Sequence, residues 1–177
     1  MYFKKNKTIL RTVISIVFVV LLIIPLFCLW ANSPFIIPGH TVEWYSKEDL
    51  IQLCYENYDE LNKVAESILD SKAFLEQIRG EDDGDEYIMF KSDSQFFAES
   101  EWENIVHVFK TIRPYSIDRS LRDGYDVVYI SFALPSCDRT EEQHCLYYIK
   151  NPEAVLYYEA NAWVGELEHI NGYWYID

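Results

Sequence analysis

A run of 20 uncharged residues near the start of the chain constrains the fold more than any other feature. Residues 12–31 read TVISIVFVVLLIIPLFCLWA and contain no Asp, Glu, Lys or Arg. A helix of this length, rising about 1.5 Å per residue, is roughly 30 Å long and matches the hydrocarbon core of a bilayer. No other segment is apolar enough to surround such a helix in a soluble protein. The sequence therefore predicts a transmembrane helix over residues 12–31.

The charges beside this run predict its orientation. Residues 1–11 form a basic tail whose cations are Lys4, Lys5, Lys7 and Arg11. Cytoplasmic flanks of membrane helices collect Lys and Arg, so we expect a single-pass protein of the cell membrane with its N-terminus in the cytoplasm. A cleaved secretory signal is the alternative. An uncleaved signal-anchor is favoured because the run exceeds the ~7–15 apolar residues of a signal peptide and Pro34 follows the best cleavage site.

The residues beyond the membrane run are strongly acidic. Residues 32–177 carry 29 acidic and 11 basic side chains, a net charge of −18. Such a domain repels phosphate backbones, which excludes nucleic acid as a partner of the folded part. The expected partners are the membrane and a protein of the cell envelope. Residues 32–45 contain two prolines and a glycine within SPFIIPGH and are expected to form a juxtamembrane linker.

Residues 46–177 are expected to form one extracytoplasmic domain that begins with helices. Ser46 is a good N-cap for a first helix, whose apolar side chains recur at three- and four-residue steps as far as Ile68. Ser71 is expected to cap a short second helix that ends at Gly80. The motif Ser100-Glu101-Trp102-Glu103 resembles a capping box and predicts a third helix, which Pro114 closes.

A period of two predicts strands in the second half of the domain. The expected strands are a short one at Tyr87–Phe90 and four others at residues 125–134, 145–150, 154–170 and 173–176. Asn171-Gly172 is a strong signal for a hairpin turn, and the alternation before it predicts a β-bulge at Gly165. The expected fold class is α+β, with two to three helices packed on a curved, mostly antiparallel sheet of four to five strands.

The predicted element order of residues 46–177, which ends in the strand GYWYID, resembles the cone-shaped folds of nuclear-transport-factor-like and cystatin-like proteins. In those families helices fill the concave side of a bent sheet. The resemblance implies a possible pocket between the first helix and the sheet. A fold does not assign a function by itself, and we recognise no catalytic motif of those families in this chain.

Two cysteines are candidates for a disulfide bond. Cys137 and Cys145 bracket the polar loop 138–144 between two predicted strands, and both are expected outside the membrane. If the strands pair as a hairpin, their ends lie about 5 Å apart, as a disulfide requires. Two free thiols are the alternative. Peptide mass spectrometry without reductant decides between them, since free alkylation of both cysteines contradicts the bond.

The sequence predicts no catalytic residues, cofactor or metal ligands. The four histidines are scattered, and the acidic run 81–86 lacks the spacing of a calcium loop. Asn57 interrupts the apolar stripe of the first helix, so its amide is expected to contact the sheet or line a small cavity. If a ligand pocket exists, its candidate lining residues are Asn57, Tyr129, Tyr148 and Tyr158.

These observations favour a binding protein. We expect a membrane-anchored acidic α+β module with a sensor, accessory or immunity-type role. The alternative is a small enzyme or small-molecule carrier with a pocket in the cone. Two convergent ionisable groups in a deep pocket favour the enzyme, whereas a filled core with exposed aromatic side chains favours the binding module.

Overall fold

The structure is a computed structural model that describes residues 23–24, 33, 36, 45–79, 85–88, 90–132, 144–161 and 166–177. The chain divides into two compact units, residues 1–34 and residues 35–177. Within the residues described, no helix has the length and apolar character needed to cross a bilayer. The predicted span 12–31 lies outside them, except for Ile23 and Ile24, which are helical and more than half exposed.

The second unit contains helices and strands in mixed order. The α-helices are α1 (Lys47–Glu56), α2 (Tyr58–Asp70), α3 (Lys72–Ile78), α4 (Glu99–Thr111) and α5 (Pro152–Asn161), and a 3₁₀-helix spans Lys91–Phe96. The strands are β1 (Asp85–Ile88), β2 (Ser116–Arg122), β3 (Tyr125–Ser131), β4 (Cys145–Tyr148), β5 (Glu168–Asn171) and β6 (Trp174–Ile176). The α+β class is confirmed, with more helices and strands than the sequence predicted.

The six strands of the described residues form one sheet in the order β1-β2-β3-β4-β6-β5. Every neighbouring pair is antiparallel. The inner face of the sheet packs against α1 to α4 around a large buried core that includes Leu61, Ile130 and Trp174. The outer face packs against α5 around a smaller core that includes Val127, Ile149 and Tyr158. The alternation of side chains along each strand separates the two cores.

The predicted first helix is broken in two at Asn57. Its start is confirmed, since the Ser46 hydroxyl accepts a hydrogen bond from the Asp49 backbone N–H at 3.2 Å. At the break, the Asn57 backbone has φ −116° and ψ 24°. Its side-chain amide donates to the Leu53 carbonyl at 2.9 Å, so Asn57 satisfies a carbonyl at the end of α1 rather than bonding the sheet.

The third predicted helix begins two residues earlier than expected, at an N-cap alanine that cannot form a complete capping box. Helix α4 begins at Glu99, and the Glu101 carboxylate accepts a hydrogen bond from the Ala98 backbone N–H at 2.8 Å. Ser100 and Glu103 are exposed residues inside the helix. The helix itself is confirmed, with Ile105, Val108 and Phe109 buried.

The predicted long strand 154–170 is wrong over residues 154–161, whereas its last residues, 168–170, belong to β5. Residues 152–161 form α5, which lies between β4 and β5 and covers part of the outer face. Tyr157-Tyr158 therefore belongs to a helix, in which Tyr158 is buried and Leu156 is 68% exposed. The alternation of apolar side chains misled the prediction because Ala154 and Tyr158 are also one helical turn apart.

The terminal hairpin is confirmed, but its register differs from the predicted one. A regular two-residue turn at Asn171-Gly172 would pair Leu167 with Ile176, but the structure pairs Glu168 with Ile176. A register shift lies between His169 and Asn171, so Ile170 is the extra residue of a bulge. The predicted bulge position, Gly165, lies outside the described residues.

Strand β2 was not predicted, and among the described residues it contributes two almost fully buried charged side chains, Asp118 and Arg119. Arg119 is 1% exposed on the inner face. Its guanidinium donates two hydrogen bonds to the Asp126 carboxylate, at 2.9 and 2.7 Å. It donates two more to the carbonyls of Ile68 and Ser71, at 2.7 and 3.1 Å. One side chain therefore joins the C-terminal end of α2 to two strands.

Candidate functional site

One side of α2 carries polar side chains at four-residue spacing. Tyr58, Asn62 and Glu66 lie one turn apart and face the end of the sheet that carries the β5–β6 hairpin. Asn62 accepts a hydrogen bond from the Trp174 indole N–H at 2.7 Å. The Tyr58 hydroxyl lies against Gly172 in the hairpin turn. This polar stripe holds α2 on the hairpin.

Glu66 is the charged centre of this region. Its carboxylate accepts hydrogen bonds from the Tyr148 hydroxyl and from the Lys150 ammonium. Burial by itself raises the pKa of Glu66, but these two donors outweigh that effect and hold the pKa below its usual value. Burial and the adjacent carboxylate raise the pKa of Tyr148, so its hydroxyl stays protonated.

Exposed tyrosine rings surround the same place. Tyr55 is 54% exposed and donates a hydrogen bond to the Ile170 carbonyl at 2.9 Å. Tyr173 is 49% exposed, and its ring meets that of Tyr148 edge to face at 5.6 Å. We call this region the tip surface and define it by Tyr55, Tyr58, Glu66, Lys150 and Tyr173.

A second group of polar side chains lies on the outer face, where β4 meets the last residue. The Asp177 carboxylate accepts hydrogen bonds from the Cys145 backbone N–H at 2.8 Å and from the Tyr147 hydroxyl at 3.3 Å. The ring atom Nδ1 of His144 lies 2.7 Å from the main-chain oxygen of Asp177. The Cys145 sulfur lies 3.6 Å from the Ser131 hydroxyl.

This outer cluster contains Cys, His and Asp, the residue types of nucleophilic catalysis. Burial and, to a smaller extent, the negative charge of Asp177 raise the pKa of the Cys145 thiol to about 12. A thiol with that pKa is protonated at neutral pH and is a poor nucleophile. The geometry around Cys145 therefore does not activate it.

The two carboxyl groups predict opposite responses to pH. Burial raises the pKa of Asp177 above 3.8, so its contribution to stability is complete below pH 3.8 and is lost as pH rises through the folded pKa. The pKa of Glu66 lies below 4.5, so its contribution is present above pH 4.5 and is lost as pH falls through the folded pKa. Denaturant unfolding of Asp177→Asn and Glu66→Gln between pH 3 and 7 measures both.

In that experiment the parent chain serves as the reference for each variant. As pH rises above 3.8, the parent is expected to lose stability relative to Asp177→Asn. As pH rises toward 4.5, the parent is expected to gain stability relative to Glu66→Gln. If the stability of the parent relative to both variants changes with pH in the same direction, the assigned directions of the two pKa shifts are wrong.

The four residues predicted to line a pocket do not share one site. Tyr148 lies on the inner face, whereas Tyr129 lies on the outer face and stacks on Tyr147 with ring centroids 5.7 Å apart. Tyr158 lies in α5, and its hydroxyl donates to the Ser120 hydroxyl at 2.7 Å. Asn57 lies at the break between α1 and α2. Tyr148 contacts two residues of the tip surface, Glu66 and Tyr173.

The disulfide between Cys137 and Cys145 stays a prediction. Cys145 carries a free thiol in the structure. Cys137 lies outside the described residues.

The sequence analysis predicted neither the tip surface nor the outer cluster. The spacing of Tyr58, Asn62 and Glu66 along the edge of the apolar stripe could have signalled the polar stripe. The outer cluster joins residues 144 and 177, which only the pairing of β4 with β6 brings together. No group of three or more His, Cys, Asp and Glu side chains in the described residues could hold a metal ion.

No family model, curated protein or solved structure matches this chain.

Proposed function

We propose that this chain is a single-pass membrane protein that presents its acidic α+β domain outside the cell as a binding module. The uncharged run 12–31 and the basic tail before it support the anchor and its orientation. A sensor, accessory or immunity-type role agrees with such an arrangement. The alternative, a small enzyme or carrier, draws no support from the outer cluster, because its thiol is protonated.

The observation that carries the binding role is the exposure of Tyr55 and Tyr173 on the tip surface. About half of each side chain is accessible to solvent. Tyrosine is enriched in protein interfaces because one rigid ring supplies a large contact area and a polar hydroxyl. The Tyr55 hydroxyl is tethered to the Ile170 carbonyl, so its ring loses little conformational entropy when a partner binds.

The anchor and its orientation are tested with the full chain expressed in cells. We expect the protein in the membrane fraction, with its N-terminal segment intact by sequencing. A protease that cannot cross the membrane is expected to digest the domain on intact cells and to leave the basic tail protected. A soluble product that begins at Asn32, or a domain that is digested only after lysis, contradicts the proposal.

The binding role is tested by chemical cross-linking on intact membranes. The full chain is expected to form a specific adduct that is lost in the double variant Tyr55→Ala/Tyr173→Ala. Leu156→Ala is the matched control, because Leu156 is 68% exposed but lies on α5. An adduct that persists in the tyrosine variant and disappears in the control excludes the tip surface as the contact.

A further inference from the structure

The two helices that carry the tip surface are strongly acidic. Helices α1 and α2 contain two lysines, Lys47 and Lys63, and seven carboxylates, which are Glu48, Asp49, Glu56, Asp59, Glu60, Glu66 and Asp70. Glu56 directly follows Tyr55 in the chain, and Asp59 and Glu60 lie four and five residues after it, across the break at Asn57. All three carboxylates are exposed. The exposed Tyr55 ring therefore lies in a strongly acidic part of the domain.

The protein already holds one cation in this way. The Lys150 ammonium donates to the Glu66 carboxylate and lies 5.9 Å from the centroid of the Tyr148 ring. A carboxylate and the face of an aromatic ring together attract a cation through its charge and the ring quadrupole. Lys150 thus shows, within this chain, which type of group an acidic tyrosine surface accepts.

The exposed part of the tip surface also combines a tyrosine ring with carboxylates, at positions that are open to solvent. Tyr55, Glu56 and Asp59 are exposed and lie within five residues of one another, whereas Tyr148 and Glu66 form the same pairing of ring and carboxylate by direct contact. An arginine or lysine of another protein could reach Tyr55 from solvent, since the ring and both neighbouring carboxylates are exposed. An acidic protein or an anionic lipid surface would be repelled by the same carboxylates.

We infer that the tip surface binds a basic segment of a partner protein, with an Arg or Lys side chain lying between the Tyr55 ring and the Asp59 carboxylate. Tyr173 supplies apolar contact area at the other edge of the surface. This inference rests on the proposed binding function and adds the contact surface and the chemistry of the partner. Binding of this kind weakens as salt screens the charges.

The test places a photo-reactive benzoylphenylalanine in the full chain, in membranes. It replaces Gln52, an exposed residue one turn before Tyr55, so that both tyrosines remain. The matched control places it at Leu156. We expect an adduct from position 52 whose cross-linked peptide carries net positive charge, with a yield that falls as salt rises from 50 to 500 mM.

Two substitutions in the position-52 background measure the contributions of charge and ring. Asp59→Asn is expected to lower the apparent affinity roughly two- to fivefold, as the loss of one exposed charge pair does. Tyr173→Ala is expected to lower it by about 10-fold, because it removes a large aromatic contact area from the surface. Glu153→Gln, an exposed acid on α5, is the control and should have no effect.

The outcomes distinguish failure of the basic-partner inference from failure of the proposed binding function. No adduct from either position overturns the proposed binding function. An adduct from position 156 alone keeps a binding function and overturns the tip surface. A position-52 adduct with an acidic or neutral segment, or one that is insensitive to salt and to Asp59→Asn, overturns the basic partner. Because Asp59→Asn preserves the side-chain shape at an exposed site, misfolding does not obscure the result.

Discussion

Replacing Arg119 with alanine is expected to destabilise the domain by about 3–5 kcal/mol. The substitution leaves the Asp126 carboxylate and the carbonyls of Ile68 and Ser71 without the guanidinium that now donates to all three. Arg119 is 1% exposed, so water cannot readily replace its hydrogen bonds to the two carbonyls, whereas the Asp126 carboxylate is one third exposed. The change should lower Tm by on the order of 10 °C, measured by thermal unfolding of the full chain in detergent.

Arg79 provides the matched control for this prediction. It also pairs with a carboxylate, Glu76 at 3.0 Å, but its side chain is 57% exposed. Arg79→Ala is expected to change stability by less than about 1 kcal/mol. If both variants lose similar amounts, the buried contacts of Arg119 do not hold α2 to the sheet.

Replacing Gly172 with alanine is expected to destabilise the domain by about 2–4 kcal/mol. Gly172 has φ +58°, a conformation that costs an alanine energy. A Cβ at this position would also collide with the Tyr58 hydroxyl. The Tyr58 side chain or the hairpin turn would then have to shift, and denaturant unfolding would measure the loss.

Two further variants separate the backbone strain from the collision. Gly124 has φ +86° with no atom within 4 Å of an added Cβ, so Gly124→Ala should show the strain alone, about 1–2 kcal/mol. Tyr58→Phe removes the hydroxyl, so adding Gly172→Ala to that background should cost less than it does in the parent. Equal costs in the two backgrounds would rule out contact between Tyr58 and the hairpin turn.

The helices were predicted best because their signals are local. The Ser46 cap and the spacing of Leu61, Val64 and Ile68 identify α1 and α2 directly. Even there, the break at Asn57 was missed, since an asparagine is tolerated both inside a helix and at its end. The terminal hairpin was also foreseen from Asn171-Gly172, although its register was not.

Strand β2 and helix α5 were missed because tertiary contacts decide them. In β2, Asp118 and Arg119 are each 1% exposed, so a polar sequence occupies a buried strand. Hydrophobic periodicity cannot detect such a strand, because its polar side chains have partners supplied by distant residues. For α5, the apolar positions fit either period, and packing on the outer face selects the helix.

The sequence alone determined the features that depend only on neighbouring residues. These are the uncharged run 12–31, the acidic character of residues 32–177, the α+β class, the N-cap of α1 and the turn of the last hairpin. The tertiary structure alone decided which distant side chains meet. Glu66 reaches Lys150 across 84 residues and Asn62 reaches Trp174 across 112. The physical reason is that a hydrogen bond between distant residues depends on strand order and register, which the packing of the whole domain selects.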